Sequence, residues 1–109
     1  MVEVNLEVEN ATNKNIPVRI CTYGDTKMIN APNIIPPGIT IFKSVNYKDE
    51  WNRFDLLIGD ESNVKSQCHT YSSWMFVTIS KYSDESGGFQ CNMASTRAAE
   101  VHLHIRPVN

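Results

Sequence analysis

The pattern with the sharpest chemistry is His102-Leu103-His104. Residues two apart on a strand share a face, so both imidazoles project together, with Glu100 next in line. Such a pair can fill two positions of a tetrahedral zinc site, and His69 is the only other histidine. Two ligands do not define a site, so the pair is read as polar decoration of a solvent-facing strand, with no metal expected. Nucleophilic chemistry has less support. Cys68-His69 is the one Cys–His neighbour pair, and neighbours on a strand face opposite ways. There is no G-x-S-x-G elbow. Asp49, Glu50, Asp60, Glu61, Asp84 and Glu85 fall in turn-like segments, where solvated acids usually sit. No D-x-D calcium spacing and no Gly-rich phosphate loop is present. The expectation is a non-enzyme without a cofactor.

The aromatic residues suggest recognition instead. Tyr47, Trp51 and Phe54 are interleaved with Asn46, Lys48, Asn52 and Arg53, and Tyr71, Ser72, Ser73 and Trp74 form a second polar–aromatic stretch. Phe54 and Trp74 lie inside strand-like runs and are assigned to the core. Exposed Tyr and Trp on loops stack on sugars or lie at a membrane interface. The predicted ligand-binding set is therefore Tyr47, Lys48, Trp51, Arg53, Tyr71 and Ser73. Lys48 and Arg53 would meet phosphate while the rings of Tyr47 and Trp51 lie at the interface.

These residues need elements to hold them, and period-two alternation dominates the chain. Val2, Val4, Leu6 and Val8 alternate with Glu3, Asn5, Glu7 and Glu9, the pattern of a half-buried antiparallel strand. Ile16, Val18 and Ile20 follow a polar turn, with Pro17 marking a strand start or edge. The segment Gly24 to Gly38, with Pro32, Pro36 and Pro37, reads as a long surface loop. Ile39, Ile41 and Val45 line the next strand. After the loop 46–52 come a short strand Phe54 to Ile58, the turn Gly59 to Ser62, and a weaker strand within Val64 to Tyr71. Trp74 to Lys81 is a strong strand, Tyr82 to Gly88 a turn, and Phe89 to Met93 a short strand. Ala94 to Ala99 reads as a loop or a single helical turn. Val101, Leu103 and Ile105 form the inner face of the last strand. No window shows a 3.6-residue period. The prediction is one all-β domain over residues 1–109, an antiparallel β-sandwich of about seven or eight short strands.

Composition narrows the partners. The 109 residues carry a net charge of -2, too little positive charge to hold a nucleic-acid backbone. The apolar runs are too short to span a bilayer, and the N-terminus has no charged segment followed by an apolar one. The expected location is cytoplasmic, or outside the cell by release without a signal peptide. Cys21, Cys68 and Cys91 are odd in number and lack C-x-x-C spacing, so they read as free thiols. Asn10-Ala11-Thr12 has the sequence of a glycosylation acceptor, idle without export.

Three segments carry a resemblance. Val4-Asn5-Leu6-Glu7-Val8-Glu9-Asn10 with Ile16 to Ile20, Ile35-Pro36-Pro37-Gly38-Ile39, and Phe54-Asp55-Leu56 with Gly59-Asp60 together resemble the first half of the aegerolysins, small acidic β-sandwich proteins. The second half keeps only Trp74 of the tryptophan-rich run found in fungal members. A rival stretch, Ile41 to Tyr47, is similar to a βγ-crystallin Greek-key opening without its glycine. The aegerolysin resemblance implies binding to membrane lipids, often in sphingolipid-containing membranes, sometimes as the receptor-binding partner of a second, pore-forming protein. The leading expectation is a lipid- or headgroup-binding module, a toxin or defence component. The alternatives are a carbohydrate-binding lectin and a structural or storage protein that assembles as a homo-oligomer.

Overall fold

A computed structural model describes residues 2–48, 52–60, 62, 66–73, 76–84, 89–97 and 100–107, with residues 66–73, 76–84 and 92–97 described by their backbone. Ten strands and no helix are present among them. In chain order these are β1 (Val2–Asn10), β2 (Ile16–Tyr23), β3 (Thr26–Ile29), β4 (Ile34–Ile35), β5 (Gly38–Asn46), β6 (Arg53–Ile58), β7 (Ser66–Ser73), β8 (Phe76–Asp84), β9 (Phe89–Arg97) and β10 (Glu100–Pro107). They form two five-stranded sheets, ordered β3-β5-β1-β10-β9 and β4-β2-β6-β7-β8. Both contribute to one core. Val4, Leu6, Val8, Phe42, Phe89, Cys91, Val101, Leu103 and Ile105 come from the first sheet, and Ile16, Val18, Ile35, Phe54, Leu56 and Ile58 from the second. Fully burying each large aliphatic or aromatic side chain contributes about 1.5–3 kcal/mol, which is why the alternating segments become the central strands.

Several expectations are corrected. The strand count among the described residues is ten rather than seven or eight. The first strand is not purely antiparallel: β1 pairs antiparallel with β5 on one side and parallel with β10 on the other, Leu6 opposite Phe42 and Val101. Alternation reports that a strand is half-buried and is silent on the direction of its neighbours. The supposed loop Gly24 to Gly38 holds β3 and β4. Gly24 takes a positive φ of 62°, a conformation that glycine adopts without steric cost, and with Asp25 passes the chain from β2 in the second sheet to β3 in the first.

The second half of the chain differs as well. Tyr82 to Asp84 belong to β8 rather than to a turn, and β9 runs to Arg97 through the supposed loop or helical turn. Each of these strands carries a bulge. His69 pairs Lys81 while Thr70 pairs Ile79, so Ser80 is the extra residue of β8. His102 pairs Ser95 while Leu103 pairs Met93, so Ala94 is the extra residue of β9. An extra residue breaks period-two alternation without ending the strand, which hides the continuation.

Candidate functional site

The end of the molecule where β5 stops is assembled by short-range chemistry. Asn46, buried at the last position of β5, accepts a hydrogen bond at Oδ1 from the Lys48 backbone N–H (3.0 Å), an Asx turn that fixes the chain through Tyr47. Tyr47 is left more than half exposed. Thr26 pairs with Asn46 in the β3–β5 ladder, and its Oγ1 accepts from the backbone N–H of Arg53 (2.9 Å), tying the start of β6 to the same end. Asn52, fully buried, donates from Nδ2 to the Val2 carbonyl (3.1 Å). Lys48 Nζ lies 3.8 Å from Asp25 Oδ1 in the turn before β3. Both groups are solvated, so this pair is worth little and Lys48 remains available to a ligand.

Arg53 stands opposite Tyr23 in the β2–β6 ladder. Tyr23 is half exposed, and its hydroxyl donates to Asp55 Oδ2 at 2.7 Å. That hydrogen bond, and then the negative charge of Asp55, push the phenol up to about 12 from its ordinary 10.0. Tyr71 occupies the ladder position opposite Asp55 on β7, and Ser73 ends that strand. Of the six residues named from sequence, Tyr47, Lys48 and Arg53 converge at one end, and Tyr71 and Ser73 enter by ladder position. Trp51 lies outside the described residues, as does Trp74. Tyr23, Asp25 and Asp55 were missed. Each looks like an ordinary strand or turn residue, and only pairing across the sheet joins them.

The histidine pair sits elsewhere, on the outer face of the first sheet. His102 Nδ1 lies 3.2 Å from Glu7 Oε2, and His104 Nε2 lies 3.7 Å from Glu9 Oε2, as the parallel register dictates. Each ring turns to its own carboxylate rather than toward a shared point. Among the described residues no three His, Cys, Asp or Glu side chains are grouped to hold a metal ion. Cys91 lies buried in the core, and Cys21 is a free thiol on the surface of β2.

Open grooves are found on the described residues. One of about 280 Å³ lies between Pro17, Arg19, Leu57 and Asp60, and one of about 180 Å³ between Glu7, Ile41, Glu100 and His102. Both fall below the roughly 300–1,000 Å³ of a site that engulfs a small molecule, so these surfaces fit contact better than enclosure. No protein-family model, curated protein or solved structure matches the chain. No helix among the described residues is long and apolar enough to cross a membrane.

Proposed function

We propose that this chain is a non-enzymatic β-sandwich module that recognises a membrane lipid headgroup with the end built from Tyr47, Lys48, Arg53 and Tyr23. The observation that carries this reading is Tyr47, 55% exposed and held by a local turn beside Lys48. A phenol ring with a polar tip is suited to the bilayer interface, and the neighbouring cations suit a headgroup phosphate. The net charge of -2 gives no general attraction to anionic surfaces, so selectivity would rest on the geometry of this end. One observation favours the glycan reading as a second choice. Tyr23 and Asp55 place a ring beside a carboxylate, which can stack on a sugar and accept its hydroxyl hydrogens. A role as toxin or defence component, with or without a pore-forming second protein, belongs to the first reading.

Sedimentation with vesicles of differing headgroup tests it. The wild type is expected to pellet with a subset of compositions. Tyr47→Ala combined with Lys48→Ala should weaken that binding several-fold with an unchanged thermal midpoint, since both side chains are exposed. A wild type that ignores every vesicle overturns the lipid reading. Glycan-array binding lost on Tyr23→Ala or Asp55→Ala would then establish the second.

A further inference from the structure

The strand β5 has one complete side and one incomplete side. Along its whole length, Gly38 to Asn46, it pairs with β1. On the other side β3 covers only Lys43 to Asn46. Among the described residues, Gly38 to Phe42 have no strand beside them there, so alternate backbone N–H and C=O groups face outward along this stretch. The gap has an identifiable cause. At Asn30 the backbone turns to φ 58°, a left-handed conformation that ends β3. By Asn33 the chain has reached the second sheet, where the Val18 N–H donates to the Asn33 carbonyl (3.0 Å).

The open stretch is also apolar. Ile39 is 62% exposed and Ile41 67% exposed, the two most exposed large apolar side chains described. Gly38-Ile39-Thr40-Ile41-Phe42 contains no charge and no proline to block pairing. Natural sheets guard long edges with lysine, proline or a bulge, as the Ser80 and Ala94 bulges illustrate on β8 and β9. Gly38 to Phe42 has none of these.

We propose that this open edge is a homodimer interface, in which Gly38–Phe42 of two copies pair antiparallel about a twofold axis at Thr40. The occupant is a second copy because the segment is complementary to itself. Centring the pairing on Thr40 sets Ile39 opposite Ile41 of the other copy, and Gly38 opposite Phe42. The four isoleucines form one cross-strand apolar cluster on the outer face. Lys43, the nearest charge on β5, falls opposite Pro37, so no like charges oppose each other. Every edge-facing amide gains a partner, and the two first sheets join into one. Ile39 and Tyr47 are eight residues apart on extended chain, about 26 Å at about 3.3 Å per residue, so the dimer leaves the Tyr47 end free on both copies.

Sedimentation equilibrium over a range of protein concentration tests the proposal. The wild type is expected to approach twice the 12.4 kDa of one chain. The double variant Ile39→Lys/Ile41→Lys sets lysine opposite lysine across the axis and should stay at one. Its fold should persist, because both side chains are exposed and lie opposite Glu9 and Glu7 in the β1–β5 ladder. A cooperative thermal transition whose midpoint no longer depends on protein concentration checks this. Independently, hydrogen exchange of amides in Gly38–Phe42 should slow as wild-type concentration rises and not in the double variant. A wild type that is monomeric throughout overturns the proposal and leaves the edge to an extended segment of another protein. A dimer that survives the lysines, or whose formation leaves exchange at Gly38–Phe42 unchanged, overturns it too.

Discussion

At the scale of single residues, Asn10 shows how one side chain can be read for the wrong chemistry. In sequence it heads a glycosylation acceptor. In the fold it is buried, with its amide spent on four hydrogen bonds. Nδ2 donates to the carbonyls of Lys14 (2.8 Å) and Ile35 (3.0 Å), and Oδ1 accepts from the Thr12 N–H (2.9 Å) and Thr12 Oγ1 (2.6 Å). The polar turn after Asn10 was legible in sequence, whereas the bond to Ile35, which joins the two sheets, was not. Asn10→Ala should cost about 1–3 kcal/mol in urea denaturation, because it strands the buried Ile35 carbonyl. Tyr23 offers a test in pH. Its phenol pKa is raised by folding, so the neutral form is the one the fold favours. Its stabilisation is therefore complete below about pH 10 and lost as pH rises through about 12. Absorbance titration should show one tyrosine ionising near pH 12, absent in Tyr23→Phe and moved down toward 10 in Asp55→Asn. A single unshifted step for every tyrosine would contradict the Tyr23–Asp55 bond.

At the scale of elements, β5 marks where pattern reading loses its footing. Ile39-Thr40-Ile41-Phe42 is apolar on both faces, so alternation identifies a strand but not its inner side. The register with β1 decides: Phe42 lies opposite buried Leu6, and Ile41 opposite half-exposed Glu7. Chemical denaturation should separate them. Phe42→Ala, which empties a core position, should cost about 3–5 kcal/mol, whereas Ile41→Thr should change stability by less than about 0.5 kcal/mol. Equal effects would mean the phase is wrong. The strands with clean alternation, β1 and β10, were readable because one face of each meets the core, and β6 because it is a short, nearly continuous apolar run. Of those carrying a bulge, β9 was readable only up to Ala94 and β8 only one residue past Ser80. Within the candidate site, Tyr47 and Lys48 could be named because a loop between two strands is visible in sequence. Tyr23 could not, because β2 joins β6 across thirty residues that leave no local trace.

At the scale of the whole molecule, the feature that organises everything else is the parallel pairing of the first and last strands. β1 and β10 lie side by side near the middle of the first sheet, with Leu6 opposite Val101. Every contact of that ladder closes a loop of nearly the full chain, so its entropic cost falls before its packing can compensate. Folding should therefore be slow for a chain this size, in the range of about milliseconds to seconds expected of domains dominated by non-local pairing. The same geometry makes stability depend on both ends together. Removing residues 100–109 would take Val101, Leu103 and Ile105 from the core, bare the inner edge of β1 and leave β9 without its only partner in the sheet among the described residues. The loss is greater than that of any one large-to-small substitution, since three fully buried side chains and two hydrogen-bond ladders go at once. A chain ending at residue 99 should show no cooperative transition in urea and no dispersed amide spectrum. Adding residues 100–109 as a separate peptide should restore both, because the strand inserts between β1 and β9 without needing a covalent connection. A truncated chain that melts cooperatively by itself would show that the first sheet can close around β1 and β9 directly, and that the parallel ladder does not hold the fold together.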